Sequence, residues 1–147
     1  MDLTQAQTLA QTALVAHGIT DWRVEWDNAK RRNGLTDYNR KVISLSAPLT
    51  NIRTVDEVRQ TIGHEIAHVL VGPGHGHGPV WQRKMRELGL RVERCSVNSD
   101  ETMQKIAQSR KYTLHCPETD SLVGSRERKG KRVYVCLCHR QPVVWKG

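Results

Sequence analysis

Phenylalanine is missing altogether from the 147 residues, and aromatic residues make up only 5% of them. The apolar share is 37%, so the four tryptophans must supply much of the bulky core material. No apolar stretch approaches the ~20 residues that a membrane-crossing helix needs, so no such span is expected. Residues 1–16 lack the charged-then-apolar layout of a secretion signal, which leads to the expectation of an intracellular, cytoplasmic protein. Cysteine is scarce: Cys95, Cys116, Cys136 and Cys138 are the whole complement. In a reducing compartment such late-clustering thiols hold metal or stay free, and a disulfide scaffold is not expected.

Acidic residues are scarce where basic ones gather. Residues 1–100 carry 13 Lys+Arg against 11 Asp+Glu, whereas residues 101–147 carry 10 against 4. Most of the net charge of +8 therefore sits in the last third. Two readings follow: a polyanionic partner, nucleic acid above all, or a solvated basic face that keeps the protein soluble. The length suits one compact catalytic unit with a small appendix.

Ala6, Leu9, Ala10, Ala13 and Leu14 recur at helical spacing and Gly18 follows as a stop, predicting a helix over residues 4–16. Trp22, Val24 and Trp26 alternate with polar neighbours, as do residues 42–46, and Asn33-Gly34 lies between them as a turn signal. An antiparallel pair, with room for an extra strand, is expected there. Thr54-Val55-Asp56-Glu57 matches a capping box, so a helix should run over residues 55–71, with Val55, Val58, Ile62, Ile66 and Val69 in one sector. His64, Glu65 and His68 fall beside that sector. A glycine-rich turn, residues 72–78, separates this helix from one opening at Pro79, with Trp81, Met85 and Leu88 inside and Gly89 closing it. Residues 99–110 read as a short capped helix, and residues 112–116, 133–135 and 143–145 as short strands.

His64-Glu65-Ile66-Ala67-His68 is an HExxH motif in the interior of a predicted helix. A spacing of four sets both imidazoles on one face, from which two nitrogens can converge on one Zn²⁺ at roughly 2.0–2.1 Å. Glu65, next to that face, can serve as general base toward water at the metal. A random sequence with 7 His and 8 Glu would hold the motif only about 0.02 times, which weighs against two exposed histidines and a surface glutamate. Catalytic zinc needs a third protein ligand. His77 is the first candidate and His75 the second, both on the flexible turn, with Glu87 on the next helix a more distant one. The metzincin pattern is excluded, because its glycine and third histidine would fall on Val71 and Gly74.

The motif, followed by His77-Gly78-Pro79-Val80-Trp81, resembles the SprT-like (Spartan) metallopeptidases, whose third histidine precedes a glycine or acid and then a bulky aromatic. The run Tyr38-Asn39-Arg40-Lys41-Val42-Ile43-Ser44-Leu45-Ser46 also resembles that family's strand leading to a helix before the motif, and the likeness covers about residues 1–95. It favours His77 over His75. The resemblance further implies a C-terminal zinc-ribbon-like element in residues 96–147, although Cys116 is followed three residues on by Thr119 where a second cysteine belongs. A structural zinc would then draw on His115, Cys116 and Cys136 with Cys138 or His139; the alternative is a metal-free β-meander. Cys95 reads as a small core residue.

The expected fold is α+β: a zincin-like HExxH helical core over residues 1–95 with a small antiparallel sheet, then a basic, strand-rich zinc-ribbon-like subdomain over residues 96–147. The expected activity is that of a zinc metallopeptidase acting on a protein substrate, with one catalytic Zn²⁺. The resemblance adds DNA as a partner, cleavage of proteins bound or crosslinked to it, and a nucleoid association. Arg126, Arg128, Lys129, Lys131 and Arg132 form the stretch suited to gripping phosphates. Tyr112 and Tyr134 could stack on bases or be core residues. For the oxyanion, His75, Tyr38 and Arg40 are candidates. Two other functions use the same residues: a zinc hydrolase of a non-protein substrate, and a nucleic-acid-binding module with structural zinc.

Overall fold

The computed structural model describes residues 1–93 and 98–147. It divides into two compact units, Met1–Asn98 and Ser99–Gly147. Cys95 lies outside the described residues.

The first unit opens with α1 (Leu3–Ala16), whose free N-terminal amides are served by the Asp2 carboxylate accepting from the Gln5 amide. Its buried face is Ala6, Ala10 and Leu14, and Gly18, at φ 69°, turns the chain where other residues would be strained. Three strands follow: β1 (Arg23–Asp27), β2 (Gly34–Asp37) and β3 (Val42–Ser46), in the order β1-β3-β2. β3 is central, and Val42, Ile43, Leu45 and Ser46 are buried along it. A strand covered on both faces needs such a near-continuous run.

The expected antiparallel pairing of β1 with β3 is not what forms. The two run parallel, Arg23 opposite Val42 through Asp27 opposite Ser46. Parallel neighbours need a crossover, and here β2 supplies it: the chain passes to the far side of the sheet, runs back along β2, and returns to the middle. Asn33-Gly34 thus starts a strand instead of closing a hairpin. β2 pairs antiparallel with β3, so it occupies one edge of a mixed sheet. A short helix, α2 (Ala47–Ile52), leaves β3 directly, where the family resemblance implies one although no residue periodicity does, and it is capped by the Ser46 hydroxyl accepting from the Leu49 amide.

α3 (Val55–Val71) has the expected bounds, with the Thr54 hydroxyl accepting from the Glu57 amide. Val58, Ile62 and Ile66 are buried with Ala6, Ala10, Leu14, Ile43 and Leu45 in one core cluster. Each of the valine, isoleucine and leucine side chains among them contributes about 1.5–3 kcal/mol by leaving water. Val55, placed by its spacing on the same sector, is instead 46% exposed, because it lies in the first turn ahead of the packed face. Gly72, at φ 81°, ends the helix. α4 (Pro79–Glu87) follows, with Trp81 and Met85 fully buried beside Ala67. Below α3, the Arg53 guanidinium is buried against the Glu57 carboxylate at 3.5 Å and donates to Thr61 Oγ1 at 2.7 Å and to Asn98 Oδ1 at 2.8 Å.

The second unit begins with α5 (Asp100–Ser109), capped by Ser99. Its sheet has the order β5-β4-β6, from β4 (Tyr112–His115), β5 (Leu122–Arg126) and β6 (Val144–Lys146), all antiparallel. β5 was not anticipated, and the strand expected at 133–135 is reduced to one bridge between Val135 and Pro142. Val133 is 74% exposed and has no sheet face to cover it.

Candidate active site

The last two turns of α3 carry His64 and His68 on the side away from the α1 contact residues, and the turn after Gly72 brings His77 back over them. Their Nε2 atoms are mutually 3.1 Å (His64 to His77), 3.2 Å (His64 to His68) and 3.2 Å (His68 to His77) apart. Three nitrogens around one tetrahedral ion at roughly 2.0–2.1 Å would lie about 3.3 Å from one another, so the donor set fits zinc. Burial and the neighbouring rings hold His64 down at about 4, and burial with His77 does the same for His68. Both imidazoles are thus neutral at physiological pH, the form that ligates a metal.

Trp81 is the floor of this cluster. The fully buried indole stacks on His68 at 5.4 Å between ring centroids and meets His64 and His77 edge-on at 4.7 Å. His64 also hydrogen-bonds the Glu93 backbone. Such surrounding contacts fix the rotation of each ring about the metal direction. His75 is exposed and outside the cluster, and Glu87 is exposed on Lys84 at 2.6 Å.

Glu65 is turned toward β2. Its carboxylate is buried, and burial lifts it to about 7 against the lowering effects of a Thr36 hydrogen bond and of Arg32. Gly34, Leu35, Thr36, Tyr38, His64, Glu65, His68, Gly74, Gly76 and His77 line one cleft of about 430 Å³. Of the three oxyanion candidates only Tyr38 lines it, and its hydroxyl donates to the His68 carbonyl at 2.9 Å. Arg40 is engaged by Glu25 at 3.0 Å and His75 is not among the lining residues. The contact of Thr36 with Glu65 has no signal in the sequence, whereas Trp81 carries two, its apolar position on α4 and its place as the bulky aromatic after His77 in the family-like run.

In the second unit Cys116, Cys136, Cys138 and His139 bring their ligand atoms within 4.8 Å of one another. Two matching turns deliver them: Asp120 and Arg140 amides donate back to the Cys116 and Cys136 carbonyls at 2.9 Å, and Asp120 and Arg140 both have φ near 55°. Thr119 stands in the first turn where His139 stands in the second. Cys138, one residue before His139, supplies the donor that Thr119 cannot, with its Sγ 3.5 Å from Cys116 Sγ. His115 is not part of the group; its ring nitrogens meet the Asp120 carbonyl and Thr113 Oγ1 at 2.9 Å. Hydrogen bonds from the Thr119 hydroxyl and the Thr119 and Glu118 amides outweigh burial and bring the Cys116 thiol down to about 6, favouring the thiolate.

Arg128, Lys129, Lys131 and Arg132 are exposed beyond β5, while Arg126 is half-buried with its guanidinium 5.0 Å from the Tyr134 ring centre. Tyr112 and Tyr134 both pack edge-on against Trp145, with Lys111 and Lys129 over Tyr112 at 5.4 and 5.2 Å.

A motif helix beside a small sheet whose edge strand borders the cleft is the architecture of a zincin-like metallopeptidase. The crystal structure of the metallopeptidase zymogen of Methanocaldococcus jannaschii jannalysin shares that fold, with a TM-score of 0.50 at 15% identity over 69% of this chain and 88% of that one. The SprT-like family model matches residues 4–105, and the chain belongs to the SprT-like family. Protein SprT of Pseudomonas syringae pv. tomato is 30% identical over 127 residues, 80% of this chain and 76% of its own length. Protein SprT of Pseudomonas savastanoi pv. phaseolicola is 28% identical over the same spans. Among the described residues no helix is long and apolar enough to cross a membrane.

Proposed function

We propose that the chain is a zinc metallopeptidase in which His64, His68 and His77 hold the metal and Glu65 is the general base. The observation that carries this is the convergence of three Nε2 atoms at 3.1–3.2 Å in the cleft that also contains a carboxyl raised to about 7. When bound, zinc would lower the pKa of water and polarise a substrate carbonyl. Glu65 would take a proton from that water and deliver it to the leaving nitrogen. The position of β2 at the sheet edge, among the described residues, supports a peptide substrate, since the outer amides and carbonyls of an edge strand can accept an extended segment as one more strand. Glu65→Gln should abolish cleavage of fluorescein-labelled casein while zinc content stays at the wild-type level, and His77→Ala should lose one zinc. Undiminished cleavage by Glu65→Gln would refute the assignment.

DNA as a partner, with bound or crosslinked proteins as substrates, is the finer part of the proposal. It rests on the family resemblance and on Arg128, Lys129, Lys131 and Arg132, four cations exposed beyond β5. Replacing all four with alanine should reduce the slope of log affinity against log salt by about 3–4 on duplex DNA. An unchanged slope would remove these residues from the interface.

A further inference from the structure

Glu65 meets β2 through two residues of one strand face, Gly34 and Thr36, and these treat its two oxygens differently. Thr36 Oγ1 lies 2.7 Å from Glu65 Oε2 and 3.2 Å from the Glu65 main-chain carbonyl. A hydroxyl has one proton to give, and an ionised carboxylate is the stronger acceptor of the two. Oε2 is therefore the restrained oxygen. Oε1 lies over Gly34, so close that a Cβ built there would stand 3.0 Å from it and 3.1 Å from Glu65 Cγ. Any side chain at position 34 would press on the carboxylate and on the Thr61 methyl, also 3.1 Å from that Cβ.

We propose that Thr36 is a positioning residue for the reaction: it holds Oε2 so that Oε1 is the oxygen presented to the water in the cleft, and Gly34 keeps the space this orientation needs. The inference rests on the general-base reading of Glu65. A carboxyl group without the tether can rotate about its terminal torsion, which is broad and roughly two-fold, and spends less time with either lone pair aimed at the water. Misplacement on the scale of 1 Å costs about 100-fold in rate, and a lost orienting partner costs about 10–100-fold.

The test compares Thr36→Val, which keeps the shape and removes the hydroxyl, with Thr36→Ser, which keeps the hydroxyl. On a fluorogenic peptide, Thr36→Val should lower kcat about 10–100-fold with KM within about two-fold, unchanged zinc content and a folded thermal transition. Thr36→Ser should stay within about three-fold of wild type. In crystals of metal-free Thr36→Val the Glu65 carboxylate should leave its wild-type position, a readout independent of turnover. Wild-type kcat in Thr36→Val, or equal losses in both variants, overturns the proposal. Glu65→Gln run alongside separates the two ideas: if it is inactive while Thr36→Val is not, the general base stands and the tether falls. If it is fully active, the general-base reading has failed. Should Thr36→Val not fold, Gly34→Ala decides, because the crowding at Oε1 must also depress kcat, and wild-type kcat there refutes the arrangement.

Discussion

Replacing Trp81 with alanine tests whether the indole only fills the core or also holds the metal ligands. Truncating a fully buried tryptophan costs about 3–5 kcal/mol, and for a unit of this size each kcal/mol moves the midpoint by about 4–8 °C. The metal-free protein should therefore melt at least about 12 °C lower. The three rings that rest on the indole would gain freedom, and loss of such support weakens metal binding by about 10–100-fold. That factor equals about 1.4–2.7 kcal/mol, lost only by the zinc-loaded form. The increase in melting temperature on adding zinc should accordingly be smaller in Trp81→Ala than in wild type. Calorimetry with and without zinc, together with competition against a chromogenic chelator, gives both quantities. An identical zinc-dependent increase and identical affinity would show that Trp81 is packing alone. Should the alanine variant be too unstable to compare, Trp81→Phe keeps the stacking on His68 and should retain most of both.

Three further outcomes follow from burial and charge. In chelator, the two histidines held at about 4 contribute stability that is complete above about 6.5 and is lost as pH falls from there toward 4. Glu65, raised to about 7 from 4.5, contributes the opposite way, losing stability as pH rises from 4.5 through 7. Urea midpoints should thus fall below pH 6.5, and Glu65→Gln should remove the decline between 6.5 and 7; a Glu65→Gln profile parallel to wild type contradicts the burial argument. Arg53→Ala leaves the buried Glu57 carboxylate without its cation and should cost about 3–5 kcal/mol, largely recovered by adding Glu57→Leu, whereas a single-variant cost below about 1 kcal/mol would mean the pair is solvated. In the second unit, Cys138→Ser should lower metal content while His115→Ala leaves it unchanged, and the reverse pattern would restore His115 to the ligand set.

How much could be read from residues alone depended on whether the signal was local. The bounds of α3 follow from Thr54, Glu57 and Gly72, and the meeting of His64 with His68 follows from helical spacing, so both were visible. The direction of β1 against β3 was not, because alternation along a strand says which face is buried and nothing about its neighbour's polarity. α2 was implied only by the family resemblance, because six residues with a proline in the first turn leave no period to detect. The tether between Thr36 and Glu65 joins residues 29 apart, and it becomes visible only once β2 is known to form the edge beside α3. The C-terminal Cys/His group depends on geometry of the same non-local kind. His115 adjoins Cys116 in sequence, whereas the matching backbone turns at 116–121 and 136–141 bring Cys116, Cys136, Cys138 and His139 together without it.

If the proposed peptidase takes its substrate along the outer border of β2, that border sets a condition on what can be digested. A segment joins that border only by offering its own main-chain amides and carbonyls, and in helices or sheet interiors those are already spoken for. On that reading a tightly folded target would be spared until some stretch of it frays, and the choice among targets would fall on their state of order ahead of their sequence.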